Sequence, residues 1–122
     1  MSKILIVEDD TFLSKMYAKK FQVAGFEVSV AYDGADGYSK AKSFKPDLIL
    51  MDILMPKQNG LETLDKLKED EETKSIPVIV TTNLSTTDDA DISMKKGAVK
   101  YIVKSEVTPA ELVKIASSHI KH

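Results

Sequence analysis

The chain has 122 residues, a net charge of −2 at pH 7, 43% hydrophobic residues and 30% charged residues. This length suits one domain with a single core and is too short for two domains. The absence of cysteine excludes disulfides, thiolate metal sites and thiol catalysis. All 17 basic residues are lysine, so the chain lacks the residue best suited to bidentate contacts with phosphate and guanine. We therefore predict one cytoplasmic domain over residues 1–122, with no direct nucleic-acid partner and no membrane segment.

Hydrophobic periodicity predicts five strands that alternate with five helices. The strands are short apolar runs, and the helices carry apolar residues at three- and four-residue spacings. In chain order the predicted strands are 4–7, 26–30, 48–52, 78–80 and 101–103. The predicted helices are 11–24, 35–44, 61–67, 85–96 and one that begins at a capping box over 108–111. The helix over 85–96 is the least amphipathic, with Ala90 and Met94 as its clearest apolar pair.

This alternation predicts an α/β fold, with a parallel sheet, helices on both faces and right-handed crossovers. The third strand is a continuous apolar run, which indicates a strand buried on both faces. The second strand alternates apolar and polar residues, which indicates a position at an edge. The flavodoxin-like strand order 2-1-3-4-5 satisfies both indications and places the first and third strands side by side.

Polar residues at the carboxyl ends of these strands are the candidate site, because ligands of open parallel sheets bind there. Asp52 ends the most apolar strand, and a charge in such surroundings is costly unless a partner or a metal compensates it. Carboxylates converging from adjacent strands repel one another, so they require either a cation or a raised pKa. The strand-end residues are Glu8, Asp9, Asp10, Asp52, Thr81, Thr82 and Lys104.

Magnesium is the cation that this set of residues favours, because Mg²⁺ prefers hard oxygen ligands and often works with one or two carboxylates plus a phosphate. A carboxylate beside Mg²⁺, with Lys104 balancing charge, can attack phosphorus and form an aspartyl phosphate. Plainer interpretations stay open for several residues. Asp10 suits a helix N-cap better than a metal ligand, Thr81 suits strand packing, and Tyr101 suits packing in an edge strand.

Five motifs in order carry a resemblance to a known family. They are Ile4–Asp10, Asp47–Pro56, Asn59-Gly60, Pro77–Thr82 and Tyr101–Lys104. The chain resembles the CheY-like receiver domain of response regulators in two-component signal transduction, from Lys3 to about Ile120. The resemblance implies a phosphoacceptor that assists its own phosphorylation and dephosphorylation, rather than an enzyme.

The resemblance also assigns roles at the phosphorylation site. Asp52 would accept the phosphoryl group from the phosphohistidine of a sensor histidine kinase or phosphotransfer protein. Asp9 would bind Mg²⁺ directly, Glu8 would help through water, and the backbone carbonyl of Leu54 would complete the protein ligands, with Asp52 itself. Lys104 would pair with a phosphoryl oxygen.

The same resemblance implies how the signal would leave the site. Thr82 would donate a hydrogen bond to another phosphoryl oxygen, and Tyr101 would turn inward as Thr82 moves. The face formed by the fourth helix, fifth strand and fifth helix would then carry the changed conformation to a downstream protein, with the chain a monomer or a weak dimer on that face.

Two positions depart from the family pattern. Ser105 stands where the family usually has a proline after the lysine, so the loop takes either a strained cis peptide, which costs about 2.5–4 kcal/mol, or a trans path. Asn83 stands where the family favours a small residue, and we expect its bulk to slow phosphorylation by small donors.

Three other functions compete with the phosphorylated switch. A pseudo-receiver would act only as an interaction module, and the departure at Ser105 keeps it open. A haloacid-dehalogenase-type phosphatase would need a second aspartate where Leu54 stands. A flavin-binding protein would need a phosphate loop after the first strand, where Glu8, Asp9 and Asp10 would repel phosphate.

Overall fold

The computed structural model describes residues 2–53, 60–83 and 87–120. Within these ranges, strands and helices alternate in chain order. The strands are β1 (Lys3–Val7), β2 (Glu27–Ala31), β3 (Leu48–Asp52), β4 (Val78–Thr82) and β5 (Lys100–Val103). The helices are α1 (Thr11–Val23), α2 (Gly34–Phe44), α3 (Gly60–Glu69), α4 (Thr87–Lys95) and α5 (Pro109–Ser118), with a short 3₁₀ helix over Lys104–Glu106.

The five strands form one parallel sheet in the order β2-β1-β3-β4-β5. The predicted fold class, strand order and edge strands are therefore confirmed. Every residue of β3 is buried, as its continuous apolar run predicted, whereas β2 at the edge begins with an exposed residue and has one fully buried residue. Since the sheet is parallel, the carboxyl ends of all five strands meet at one edge.

Two apolar layers cover the sheet, one on each face. Alternate residues of β1 and β3 enter different layers, because successive side chains of a strand point to opposite faces. Ile4, Ile6, Leu48 and Leu50 pack with α1 and α5, through side chains that include Phe21 and Leu112. The odd-numbered residues of the same strands pack with α2 and α3 on the other face. This alternation decides on which side each strand-end side chain emerges.

Helix ends follow the capping chemistry of the sequence. Asp10 is the N-cap of α1, and its carboxylate accepts hydrogen bonds from the amides of Phe12 and Leu13 at 2.9 and 3.0 Å. Thr108 and Glu111 form the predicted capping box at the start of α5. These caps satisfy N-terminal amides that have no partner within the helix.

Helix α4 differs most from its prediction. Met94 was expected to pack inward, but its side chain is 47% exposed and the neighbouring Ile92 is 39% exposed. Among the described side chains of this helix, the one that is buried is Ser93. The prediction was wrong because α4 has no strong apolar face, and tertiary packing then decides which side of such a helix turns inward.

Candidate functional site

The strand register brings two acids together at the carboxyl edge of the sheet. Val7 of β1 pairs with Met51 of β3, so the next residues, Glu8 and Asp52, are also neighbours. Both continue the set of alternate residues that faces α1 and α5. Lys104 follows β5 and continues the same set after Ile102. Three charged side chains from three strands therefore converge on one side of the edge.

Lys104 joins the two buried carboxylates. Glu8 is 3% exposed and Asp52 is 4% exposed. The Nζ atom of Lys104 donates a hydrogen bond to Asp52 Oδ2 at 3.1 Å and another to Glu8 Oε1. The lysine side chain is itself 6% exposed. The sequence placed Lys104 among these strand-end residues as the balancing charge, but its contacts with the Asp52 and Glu8 carboxylates were not predicted.

Burial and charge set the protonation of this cluster. Burial and, to a smaller extent, the charge of Asp52 together raise the pKa of the Glu8 carboxyl to about 7, against the opposing effect of the Lys104 ammonium. Burial would lower the pKa of Lys104, but its contacts with Glu8 and Asp52 raise it above the usual range. One positive charge thus faces two carboxyl groups. Near neutral pH, Glu8 is protonated in a fraction of the molecules.

Asp9 adds a third carboxylate. Oxygen atoms of Glu8, Asp9 and Asp52 all lie within 4.8 Å of one another, and Asp9 is exposed whereas the other two are buried. Mg²⁺ fits this donor set, because the three carboxylates offer hard oxygen ligands. The exposed side at Asp9 leaves room for the water molecules that the ion retains. The surplus of negative over positive charge in the cluster also favours a cation.

Thr82 and Tyr101 lie on the other face of the sheet. Thr82 is fully buried at the end of β4, and Tyr101 of β5 is partly buried against the layer that contains Val80. Val80 and Tyr101 are register partners. Alternation along β4 places Thr82 on the face of Val80, and places Thr81, which pairs with Asp52 across the sheet, on the face of Glu8 and Lys104.

The loops around the site resolve one of the two departures. No cis peptide bond occurs among the described residues, so the Lys104–Ser105 bond is trans. Lys104 contacts Asp52 along this trans path, and it is the first residue of the 3₁₀ helix that follows β5. Asn83 is exposed beside Thr82. The backbone carbonyl of Leu54, the predicted fourth ligand, lies outside the described residues.

A family model for the response regulator receiver domain matches residues 4–117. The chain belongs to this family. Receiver domains are signalling phosphoacceptors rather than conventional enzymes.

Relatives and solved structures agree with this assignment. The chain is 36% identical over 104 residues to the DNA-binding dual master transcriptional regulator RpaA of Synechocystis, covering 85% of this chain and 43% of that protein. Among solved structures, Vibrio cholerae chemotaxis protein CheY4 has a TM-score of 0.91 at 28% identity, covering 98% of this chain and 99% of that chain. The Mn²⁺-bound form of response regulator Rcp1 has a TM-score of 0.78 at 27% identity, covering 97% of this chain and 91% of that chain. The receiver domain thus spans less than half the length of its curated relative RpaA.

No helix in the described part of the receiver domain is both long and apolar enough to cross a membrane. The apolar sides of α1, α2, α3 and α5 pack on the sheet.

Two residues beside the site were not recognised in the sequence. A methyl group on Gly60 would lie 2.6 Å from the backbone oxygen of Asp52 and 2.5 Å from the Cα atom of Ile53, so only glycine fits there. Tyr17 of α1 is 8% exposed, and the charges of Lys104, Glu8 and Asp52 all act on the pKa of its phenol, which burial raises. The spacing of Tyr17 marked it only as an apolar residue of the first helix, and Gly60 was noted as part of the Asn59-Gly60 motif without this close backbone contact.

Proposed function

We propose that this receiver domain is a phosphorylation-dependent switch, in which Asp52 accepts a phosphoryl group from the phosphohistidine of a histidine kinase or phosphotransfer protein. The observation that carries the proposal is the buried Asp52 carboxylate, which lies within 4.8 Å of the Glu8 and Asp9 carboxylates and 3.1 Å from the Lys104 ammonium. Phosphoryl transfer depends mainly on positioning and charge neutralisation, and this group of residues supplies both.

Glu8, Asp9 and Asp52 are the described residues that would hold Mg²⁺, with the Leu54 carbonyl as a further proposed ligand. When bound, the ion neutralises the carboxylates and the phosphoryl oxygens. The Mn²⁺-bound form of the related Rcp1 supports a divalent site in this family member. The exposed position of Asp9 supports its role as the direct ligand, since it borders solvent.

Asp52, Lys104 and Thr82 have different roles in the proposed phosphoryl transfer. The Asp52 carboxylate oxygen forms a bond to phosphorus as the bond from phosphorus to the histidine nitrogen of the donor breaks. Lys104 holds Asp52 in place before transfer and pairs with a phosphoryl oxygen after it. The hydroxyl of Thr82 donates to another phosphoryl oxygen from the opposite face of the sheet.

The switch then follows from added charge. Phosphorylation adds about −1.5 to −2 charge at neutral pH, which draws Thr82 toward Asp52 and leaves space into which Tyr101 turns. The shared sheet face of Thr82 and Tyr101 supports this coupling. The modification shifts an equilibrium between two conformations rather than creating a new one.

The face formed by α4, β5 and α5 is the proposed output surface, for an unknown downstream protein or a weak dimer. Exposed apolar side chains support this proposal, because Ile92 and Met94 of α4 and the adjacent Val99 are each 36–47% exposed. The related RpaA is a DNA-binding regulator, but the basic residues of this chain are all lysine, and we propose that it makes no direct contact with nucleic acid. We also propose that it is located in the cytoplasm.

Intact-mass measurement after incubation with acetyl phosphate and Mg²⁺ tests the proposal. We expect the wild-type chain to gain the mass of one phosphoryl group and Asp52→Asn to gain none. Asp91→Asn, which removes an exposed carboxylate of α4, is the matched control and should label like the wild type. Absence of label in the wild type, or equal label in Asp52→Asn, would favour the pseudo-receiver instead.

A further inference from the structure

A cleft lies at the opposite end of the sheet from Asp52. Its volume is about 450 Å³, within the range of about 300–1,000 Å³ typical of small-molecule sites. Asp47 and Pro77 line it immediately before β3 and β4, so five-residue strands separate the cleft from the carboxylate cluster by about 16 Å. Among the described residues its lining consists of Pro46, Asp47, Ser75, Ile76, Pro77 and His119.

The backbone around this cleft offers few hydrogen-bond donors. Pro46 and Pro77 have no N–H group. The amides of Asp47, Ile76 and His119 already donate to backbone carbonyls elsewhere in the chain, at 2.8, 3.0 and 3.1 Å. An anion in the cleft would find donors at Ser75 and at the imidazole of His119, but no lysine belongs to the described lining, so little positive charge would compensate its lost hydration.

The acceptors and charges of the cleft favour a cation. The Oδ2 atom of Asp47 accepts a hydrogen bond from the backbone amide of Lys3 at 2.8 Å, and no hydrogen bond to its Oδ1 atom is made within the described part of the chain. Helix α5 ends beside the cleft at Ser118, with His119 as its C-cap, and its last turn has no basic residue. The C-terminus of a helix carries partial negative charge, which here adds to that of the Asp47 carboxylate.

We propose that this cleft binds a small organic cation, through an ammonium or guanidinium group paired with the carboxylate of Asp47. The apolar surfaces of Pro46, Ile76 and Pro77 would contact the hydrocarbon part of the ligand. The site shares no residue with the carboxylate–lysine cluster, so this proposal is independent of phosphorylation at Asp52.

Two-dimensional amide NMR of the uniformly ¹⁵N-labelled chain tests the proposal, with putrescine and agmatine as probes. We expect the amide chemical shifts of residues around the cleft to change saturably, with millimolar dissociation constants. Comparing the dissociation constants of putrescine and agmatine tells whether an ammonium or a guanidinium group binds better. Inorganic phosphate at equal ionic strength is the anionic control and should give no saturable shift at these residues. Saturable binding of phosphate, or no saturation by either amine, would overturn the proposal.

Three variants test whether the Asp47 carboxylate is the group that binds the amine. Asp47→Asn keeps an oxygen that can accept from Lys3 but removes the charge, and it should weaken binding about three- to fivefold, as expected for a partly exposed ion pair. Asp91→Asn, on α4, should bind like the wild type. The exposed Ser75 allows a variant that leaves the core intact, and Ser75→Lys should also weaken binding by placing a competing ammonium at the cleft. Unchanged affinity in both Asp47→Asn and Ser75→Lys would contradict the proposal.

Discussion

Glu8 is the residue whose chemistry departs most from that of an ordinary surface acid. Its carboxyl is buried between Asp52 and Lys104, and this burial raises its pKa from 4.5 to about 7. A proton and a divalent cation must therefore compete for Glu8 at neutral pH. The more exposed Asp9 meets no such burial.

The raised pKa of Glu8 predicts a pH dependence of stability in the absence of divalent cations. Between pH 4.5 and about 7, the folded chain holds a proton on Glu8 that the unfolded chain has released. The free energy of unfolding should therefore fall as pH rises through this window. Urea denaturation in EDTA across the window measures this slope, and Glu8→Gln should flatten it.

Glu27→Gln, at an exposed position at the start of β2, is the control for that measurement and should keep the wild-type slope. Equal slopes for Glu8→Gln and the wild type would show that Glu8 titrates in the folded chain as it does when unfolded.

At the scale of elements, α4 is attached to the molecule differently from its neighbours. Helices α1, α3 and α5 each bury large apolar side chains, such as Phe21, Leu64 and Leu112. Helix α4 exposes Ile92 and Met94 instead. A helix held by so little apolar burial is the element that we expect to move most easily if Asp52 is phosphorylated as proposed.

The buried serine of α4 gives a direct test of this attachment. The hydroxyl of Ser93 is fully buried and has no hydrogen-bond partner among the described residues. Ser93→Ala should raise the free energy of unfolding by about 1 kcal/mol, because it removes an unsatisfied polar group. Chemical denaturation measures this change.

Replacing a serine with alanine also raises helix propensity, so the comparison needs a matched helix position. Ser39→Ala, at an exposed position of α2, supplies the propensity gain alone. If both variants were stabilised equally, the Ser93 hydroxyl would be satisfied in solution and α4 would be held more firmly than its burial indicates.

For the molecule as a whole, the sheet and one half of the site were predictable from the sequence. The apolar run of β3 and the alternation in β2 distinguish a central strand from an edge strand, and this distinction leads to the observed order. Once that order is known, the convergence of Asp52 with Glu8 follows from parallel strands. The N-caps were predictable too, because they depend on residues at most three positions apart.

Other features depend on three-dimensional packing that a sequence pattern does not encode. The contact between Lys104 and Glu8 joins residues 96 positions apart, and no local pattern near either residue indicates it. The requirement for Gly60 arises from a close approach to the backbone of Asp52. The outward direction of Met94 reflects a helix without a strong apolar face, for which periodicity gives no guidance.

The identity of the modified residue is the most direct test of the account. Borohydride reduces an aspartyl phosphate to homoserine, which tandem mass spectrometry locates in a proteolytic peptide. After treatment with acetyl phosphate, we expect homoserine at position 52 when Mg²⁺ is present and none when EDTA replaces it. Homoserine at position 9 or 10, or an equal yield at position 52 without a divalent ion, would contradict a metal-assisted transfer to Asp52.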